Sequence, residues 1–437
     1  MSLTVDANAA VEYIQARARF GIKPGLERIA FLLQGLGAPH EQLRFVHVAG
    51  TNGKGSTCFF IAQMLQAAGY RVGLYTSPYL IAFAERMSVN GVPITSHELV
   101  SFTERVRRVA ETVADNQFLE PTEFEIITAL SFLFFVERKV DLVVLETGLG
   151  GRYDATNIVI PEVSVITNVD LDHTEILGKS VKEISFDKSG IIKEKIPVVT
   201  GAENAALAVV TNVAKEKQSP MFVAKRDLSI VSEQIKGMYG QRFSYFGMHR
   251  DFLGLDMRML GMHQLTNAGI ALGVIEVLQD IGYDIDEVAI RSGLSTAVWS
   301  GRFEVIHENP LVVLDGAHNP AGARALARAL SDLLIDRYVL IIGVLGDKDI
   351  AGITQAVVPN SVYVIVTEPD VARAASANLV AEFVSKCTVG DTPIEVNEHI
   401  VQAVARGVLL AQQLSLSLCI MGSLYTVAQA KTAFMQK

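Results

Sequence analysis

The chain has 437 residues, of which 50% are hydrophobic and 19% charged, and its net charge is −9. This length allows about three domains with large apolar cores. The acidic balance and the lack of any basic run argue against a nucleic-acid-binding surface, because few side chains could neutralise phosphates along a strand. Anionic small molecules would instead be bound by local positive sites.

The sequence also carries signals of the compartment in which the protein works. It contains three cysteines, too few and too scattered for a disulfide framework, and this suits a reducing environment. The N-terminal residues show no basic head followed by an apolar stretch, and no apolar run reaches the length of a membrane span. We therefore expect a cytoplasmic protein without a membrane partner.

Apolar residues recur at helical spacing within residues 8–37, which predicts helix at the start of the chain. Residues 21–25 read Gly-Ile-Lys-Pro-Gly and break the pattern. This loop either folds over a ligand at the end of a sheet or is a plain surface connector. The residues alone favour neither interpretation.

A phosphate-binding loop at residues 50–56 is the strongest single motif. A β-branched strand at residues 45–48 precedes it, and apolar residues at helical spacing follow it. The glycines let backbone N–H groups turn toward an anion, the helix N-terminus adds its positive end, and Lys54 can reach terminal phosphates. Ser56 offers a hydroxyl to Mg²⁺. Because Gly55 separates Lys54 from Ser56, the spacing is not the common one, and the alternative is a glycine-rich surface turn.

Polar residues follow two further predicted strands. Glu146 ends an uninterrupted apolar run at residues 142–145, which is typical of a parallel strand covered on both faces. Acidic residues and His173 follow the strand at residues 163–167. Because ligands of open α/β sheets bind beyond the carboxyl ends of strands, Glu146 is a candidate Mg²⁺ ligand. A histidine is an unusual Mg²⁺ ligand, so His173 by itself is better explained as a structural residue.

Thr122 and Glu125 have the spacing of a capping box, so they predict the start of a helix at residues 124–137. The two acidic residues of this short stretch, Glu123 and Glu125, could also line a pocket. Lys188 lies two residues before Gly190 and, from composition alone, looks like a solvated lysine.

A second α/β pattern begins after a compact linker at residues 298–302. Its predicted strands lie at residues 311–314, 338–342, 362–366 and 418–421. We therefore predict an α/β protein of two domains. Residues 1–297 form an N-terminal P-loop ATPase-type domain, with a parallel or mixed sheet between helices. Residues 303–437 form a smaller, Rossmann-like α/β domain. Polar residues at the strand ends of both domains suggest a cleft between them.

Taken together, the motifs resemble the folylpolyglutamate synthase/dihydrofolate synthase family, a branch of the Mur ligase superfamily. Any one of them is weak, but their order and spacing along nearly the whole chain make the set specific. They lie at residues 25–28, 50–56, 77–78, 85–86, 148–157, 172–175, 301–302, 315–320 and 422–425.

The resemblance implies an ATP-dependent ligase that adds L-glutamate to folates. ATP would phosphorylate a carboxylate of the folate or pteroate, and the amine of L-glutamate would attack the acyl phosphate. The implied cofactor is Mg²⁺, with ATP as co-substrate. The implied partners are small molecules alone, namely folate or pteroate, L-glutamate and ATP, and we expect a monomer. Whether the chain also makes dihydrofolate from dihydropteroate stays open.

By position, the resemblance assigns a role to individual residues. Those implied to bind ATP are Thr51, Asn52, Gly53, Lys54, Gly55, Ser56, Asn267, Arg302 and Asp315. Those implied to bind Mg²⁺ are Ser56, Ser77, Glu146 and His173. Those implied to line the folate or pteroate pocket are Gly25, Leu26, Thr122, Glu123, Phe124, Glu125, Tyr153, Asp154 and Ala155. His318 and Ser423 match the glutamate site.

Lys188 matches the carbamoylated lysine of the family, and the implied catalytic set is Lys54, Glu146, His173 and Lys188. Addition of CO₂ turns an ammonium into a carboxylate-like anion that can sit beside Mg²⁺. The sequence departs from the family pattern at a few positions, among them Ser300, where the family has proline.

Two alternatives remain from the sequence. A cell-wall amino-acid ligase of the same superfamily would share the phosphate loop and the carbamoylated lysine. A P-loop regulatory NTPase would share the loop alone, and it would leave Asp315, His318 and Ser423 unexplained.

Overall fold

The computed structural model describes residues 5–21, 23–112 and 120–435. The chain divides into two compact units. The first consists of Met1–Val231, Ser244–Leu255 and Thr266–Thr296, and the second of Ser232–Phe243, Asp256–Leu265 and Ala297–Lys437. The predicted breaker loop at residues 21–25 includes residue 22, which lies outside the described residues.

An eight-stranded sheet forms the centre of the first unit. Its strands are β1 (Phe45–Ala49), β2 (Val72–Tyr75), β3 (Met87–Val89), β4 (Val92–Pro93), β5 (Leu142–Glu146), β6 (Val163–Ile166), β7 (Val198–Thr200) and β8 (Met221–Val223). Their order is β4-β3-β2-β5-β1-β6-β7-β8, and only β3 and β4 run antiparallel to their neighbours. The predicted mixed sheet is confirmed. Since β5 and β6 flank β1, the loops after these three strands meet at one edge of the sheet.

Ten α-helices of the described residues accompany this sheet, the ninth beginning in the second unit. They are α1 (Val5–Gln15), α2 (Glu27–Gly35), α3 (Lys54–Ala67), α4 (Ser96–Glu111), α5 (Glu123–Glu137), α6 (Thr174–Leu177), α7 (Val181–Lys188), α8 (Asn204–Glu216), α9 (Met262–Asp280) and α10 (Glu287–Thr296). One apolar core joins side chains of α2, α4 and α5 to Phe45, Val143 and Leu145 of the sheet. A second joins α8 to β6 and β7. Burial of these apolar faces is the main favourable contribution to the fold.

A small sheet of three strands, in the order β11-β10-β9, follows in the chain. Its strands are β9 (Ser229–Ile235), β10 (Gln241–Phe246) and β11 (Asp251–Met257). The turn between β10 and β11 is held by the buried carboxylate of Glu276. That carboxylate accepts hydrogen bonds from the N–H groups of Met248, His249 and Arg250 at 3.1, 2.9 and 3.1 Å. Because the charge is fully engaged, its burial at this turn is compensated.

The second unit contains a six-stranded sheet in the order β12-β13-β17-β14-β15-β16. Its strands are β12 (Glu304–Glu308), β13 (Leu311–Asp315), β14 (Tyr338–Ile342), β15 (Ser361–Glu368), β16 (Ile394–His399) and β17 (Ser417–Met421). Its helices are α11 (Pro320–Asp332), α12 (Ile350–Val357), α13 (Ala377–Ser385), α14 (Ile400–Leu414) and α15 (Leu424–Met435). All strands except β12 are parallel, which confirms the second α/β pattern.

Candidate active site

The phosphate loop lies between β1 and α3, as the sequence predicts. Gly53 caps α3 with a left-handed backbone (φ 79°), and a Cβ at this residue would come within 2.3 Å of Oδ1 of Asn267. Glycine is therefore required here both by conformation and by space. Lys54, the first residue of α3, donates hydrogen bonds to the carbonyl oxygens of Gly50 and Thr51 at 3.1 and 3.3 Å. Its ammonium thus lies over the loop, where phosphates would be bound.

Residues that follow β6 fix the shape of this loop. Asn168 accepts a hydrogen bond from the N–H of Asn52 at 2.9 Å and donates one to the carbonyl of Asn52 at 2.9 Å. Thr167 donates to the same carbonyl at 2.7 Å, and Thr51 donates through its hydroxyl to the carbonyl of Asp170 at 3.1 Å. Asn168 was not among the residues predicted for the site. Its position directly after a strand beside β1 was the available signal.

Lys188 is buried, and this corrects its interpretation as a solvated lysine. It ends α7 with 3% of its surface exposed, and its Nζ donates to the carbonyl of Gly50 at 2.9 Å. Burial, reinforced by the charge of Lys54, lowers the pKa of Lys188 to about 7, against the opposing effect of Asp187. A substantial fraction of the amine is therefore neutral near pH 7, which is the form that reacts with CO₂.

The glycine-rich run after β5 packs directly on Lys188. A Cβ on Gly151 would come within 2.7 Å of the carbonyl oxygen of Lys188, and the N–H of Gly151 donates to Asp187 Oδ1 at 2.8 Å. A Cβ on Gly190 would come within 2.4 Å of the Cα of Arg152. This backbone-to-backbone contact explains why small residues occupy both segments.

The predicted metal ligands lie at or beyond the carboxyl ends of four strands, β1, β2, β5 and β6. Glu146 is 4% exposed, and its Oε2 accepts the N–H of Ser77 at 3.1 Å. Ser56 is buried in the first turn of α3. His173 caps α6 with a left-handed backbone, its side chain one-third exposed. One carboxylate with two hydroxyls is a donor set that fits Mg²⁺, provided that phosphate oxygens and water complete it.

Three of the predicted folate segments are brought together. Gly25 and Leu26 lead into α2, where Arg28 forms a buried ion pair with Glu125 at 3.0 Å. Thr122 and Glu125 form the predicted capping box of α5, in which the N–H of Thr122 donates to Glu125 at 2.7 Å. The Phe124 ring lies against Gly148, since a Cβ there would meet its Cζ at 2.5 Å. Glu123 is half-buried, and burial raises its pKa.

The third of these segments ends in a buried polar chain that the sequence analysis missed. Tyr153 is exposed, whereas Asp154 and Ala155 are buried. Asp154 accepts the hydroxyl of Thr156 and the N–H of Leu149, the latter at 2.9 Å. Burial raises the pKa of Asp154 against these hydrogen bonds. Thr156 in turn contacts Nε2 of His47, a fully buried residue of β1, at 2.8 Å.

In the second unit, Arg302 and Asp315 lie side by side. Asp315 ends β13, and its two oxygens accept the N–H groups of Phe303 and Ala317, each at 2.8 Å. A Cβ on Gly316 would come within 2.7 Å of Nη1 of Arg302. Burial lowers the pKa of the neighbouring His263, an effect that Asp315 opposes and Arg302 reinforces. His263 is a candidate site residue that the sequence analysis did not assign.

His318 and Ser423 follow the paired strands β13 and β17, so the structure brings these two loops to one edge. Nδ1 of His318 lies 2.8 Å from the carbonyl of Gly316. Ser423 is buried and accepts the N–H of Thr426 at 3.0 Å. Because Thr426 donates its own hydroxyl proton to Gly343, the Ser423 hydroxyl must donate to Thr426. Among the described residues Thr426 is the hydrogen-bond partner of this hydroxyl, which leaves one lone pair of Ser423 as an acceptor.

No group of three or more His, Cys, Asp and Glu side chains that could hold a metal occurs in residues 5–21, 23–112 and 120–435. Over the same part of the chain, every helix is too short or too polar to cross a membrane.

Comparisons with known proteins identify the class of protein to which this fold belongs. Residues 48–275 match the Mur ligase middle domain, and residues 301–424 match the Mur ligase glutamate ligase domain. The fold, the phosphate loop and these two matches define a Mur ligase, which is an ATP-dependent ligase that forms amide bonds.

Individual proteins resolve the family further. The dihydrofolate synthase/folylpolyglutamate synthase of Bacillus subtilis is 42% identical over 344 residues, which are 78% of this chain and 80% of that protein. The crystal structure of folylpolyglutamate synthase from Thermotoga maritima is 36% identical, with a TM-score of 0.85 and 98% of each chain covered. The Escherichia coli FolC structure in complex with DHPP and ADP is 29% identical, with a TM-score of 0.86 and 98% coverage of both chains. The chain belongs to the folylpolyglutamate synthase/dihydrofolate synthase family.

Proposed function

We propose that the protein adds L-glutamate to a reduced folate, forming a γ-glutamyl amide with release of ADP and phosphate. The observation that carries this proposal is the meeting of the phosphate loop, Glu146 and the buried Lys188 at the carboxyl edge of β1, β5 and β6. The names of its relatives support the folate and glutamate substrates, and several of those names also include dihydrofolate synthase. Dihydropteroate is therefore the second substrate to test.

The phosphate loop and Lys54 hold the ATP phosphates in this proposal. Mg²⁺ would be held by Ser56, Ser77, Glu146 and His173, and it would supply charge neutralisation at the phosphates. Lys54 adds a second positive charge at the same place, so the oxygens that gain negative charge in phosphoryl transfer are met by fixed cations. Asn267, Arg302 and Asp315 complete the proposed ATP contacts.

Lys188 carries a carbamate in the active protein under this proposal. A bare ammonium beside Mg²⁺ would repel the metal, whereas a carbamate presents two oxygens and reverses the sign of the interaction. The lowered pKa and the burial of Lys188 support this assignment. Labelled bicarbonate should produce a carbamate ¹³C signal that is missing in Lys188→Ala. Short carboxylates should restore part of the activity that this variant loses.

For the folate, we assign the pocket to the segments that the structure brings together around Phe124. Glu123 and Asp154 supply its acidic groups, and burial raises the pKa of both. Thr122 and Glu125 shape it through the cap of α5. For L-glutamate, the free lone pair of Ser423 accepts a hydrogen bond from the amine, and His318 lies on the neighbouring loop.

A substrate panel tests the proposal. Phosphate release with ATP is measured together with incorporation of labelled L-glutamate, using tetrahydrofolate, dihydropteroate or a nucleotide-linked muramyl acceptor. We expect glutamate-dependent phosphate release with tetrahydrofolate. Release with the muramyl acceptor alone would assign the chain to cell-wall synthesis, and hydrolysis independent of every acceptor would indicate a regulatory NTPase. Incorporation with dihydropteroate decides whether the protein has both activities.

A further inference from the structure

The backbone on both sides of Arg302 lies in the left-handed region, which glycine adopts readily but phenylalanine does not. Gly301 has a φ of 73° and Phe303 a φ of 45°. A bulky residue such as phenylalanine rarely occupies the left-handed region, and it does so only when surrounding contacts enforce it. Strain of this kind often marks a site where a side chain is held in a functional position. The contacts that enforce it are therefore informative.

One set of contacts joins this turn to the end of β13, through the Asp315 carboxylate and the backbone of Gly316. The N–H of Gly316 donates to the carbonyl of Gly301 at 2.9 Å, and the N–H of Phe303 donates to Asp315 at 2.8 Å. These bonds fix the two residues beside Arg302 on the side of the sheet. They leave the preceding residue, Ser300, to be fixed by something else.

A half-buried ion pair between Lys431 and Glu304 contacts Ser300. Glu304 Oε2 accepts the Ser300 hydroxyl at 2.7 Å and the N–H of Gly301 at 2.8 Å. Lys431, near the end of α15, donates to Glu304 Oε1 at 2.5 Å and also to the Ser300 hydroxyl oxygen. The side chains of Lys431 and Glu304 are only 20% and 16% exposed. The Ser300 hydroxyl thus donates a hydrogen bond to Glu304 and accepts one from Lys431.

We propose that Ser300, Glu304 and Lys431 are positioning residues that hold Arg302 where it contacts ATP. The Ser300 hydroxyl and the N–H of Gly301 both connect the ion pair to the strained turn, so loss of any of the three side chains removes part of the support. This inference rests on the proposed role of Arg302, since none of the three is assigned a contact with substrate. It gives α15 a part in nucleotide binding, far along the sequence from the phosphate loop.

Affinity for the non-hydrolysable nucleotide AMPPCP, measured by calorimetry, is the direct test, because it needs neither folate nor glutamate. Misplacement of a binding group by about 1 Å can cost a hundredfold. We expect Lys431→Met and Ser300→Ala each to weaken AMPPCP binding by about tenfold. Ser300→Thr, which keeps the hydroxyl, should bind normally. Lys386→Met removes an exposed lysine of the same unit and should also bind normally.

A double-variant cycle separates positioning from general stability. If Lys431 acts through Arg302, Lys431→Met should weaken binding no further in an Arg302→Ala background. Full additivity of the two effects, or wild-type AMPPCP affinity in folded Ser300→Ala and Lys431→Met proteins, would overturn the inference. Failure of the proposed ligase reaction is seen separately, as a lack of glutamate incorporation by the wild-type protein.

Discussion

Lys188 and Gly50 are joined by a hydrogen bond of 2.9 Å, from the buried end of α7 to the first residue of the phosphate loop. The bond places an amine with a lowered pKa beside the loop that we assign to ATP. In the bare lysine, the Gly50 carbonyl is the partner of the ammonium. Carbamoylation would turn that ammonium into a carbamate whose nitrogen keeps a single N–H, so the loop and the modification state of Lys188 are physically linked.

This burial predicts a particular pH dependence of stability when CO₂ is removed. Burial lowers the pKa of Lys188 from 10.5 to about 7, so between these values the unfolded state binds more protons than the folded state. The free energy of unfolding then rises with pH across that window. Urea unfolding should show the wild type gaining stability relative to Lys188→Met from about pH 7 toward pH 10. Parallel pH profiles of the two proteins would contradict the lowered pKa.

Gly53→Ala should weaken nucleotide binding as well as lower stability, because alanine there would occupy a left-handed backbone and its Cβ would meet Asn267. Gly53 and Gly69 both have positive φ, at 79° and 91°, but only at Gly53 would a Cβ meet another group, Asn267. Both alanine variants should lose about 1–2 kcal/mol of stability from the left-handed backbone. Only Gly53→Ala should also raise the KM for ATP, by about tenfold. Equal ATP kinetics in the two variants would remove the steric argument at Asn267.

Glu146→Gln should sharply raise the Mg²⁺ concentration needed for half-maximal activity. The substitution keeps an oxygen for the N–H of Ser77 but removes the charge that a divalent cation requires. We expect an increase of about tenfold or more, with a similar effect for His173→Ala. Glu175→Gln changes an exposed carboxylate of the neighbouring helix and is the control. An unchanged Mg²⁺ titration in both site variants would refute the ligand assignment.

Thr122→Ala should act as the loss of a helix cap. Thr95 forms the same capping box at the start of α4, so Thr95→Ala is a matched control outside the proposed folate pocket. Each variant should lose about 1 kcal/mol of stability in urea unfolding. The KM for tetrahydrofolate should stay within about twofold of the wild type in both. A selective rise for Thr122→Ala would give the threonine a direct contact with the folate.

Local pattern was sufficient to predict much of the fold. Apolar runs located β1, β5 and β6, and the spacing of Thr122 and Glu125 located the start of α5. Strands β12 and β16 were not predicted, because both lie at edges of their sheet and carry polar residues that interrupt any apolar run. Edge strands need less apolar surface than central ones, so their sequence signal is weak.

The site was harder to predict, because its contacts join distant parts of the chain. Lys188 has nothing local that distinguishes it from a surface lysine, and only folding brings it to Gly50. The same holds for Asn168, whose side chain fixes Asn52 from the next strand. Resemblance to the family supplied a role for Lys188 but gave none for Asn168 or for Lys431.

His47 offers a built-in spectroscopic reporter. Thr156 gives its hydroxyl proton to Asp154, so His47 must donate through Nε2, and its Nδ1 has no hydrogen-bond partner among the residues that the structure describes. Burial lowers the imidazole pKa to about 3, with a smaller effect of Lys193. The ring therefore stays neutral over ordinary pH changes. It belongs to β1, the strand before the phosphate loop, and contacts Thr156 beside the segment assigned to folate. Its ¹⁵N chemical shifts should respond to ligand occupancy alone, and this permits both substrates to be followed at a single residue.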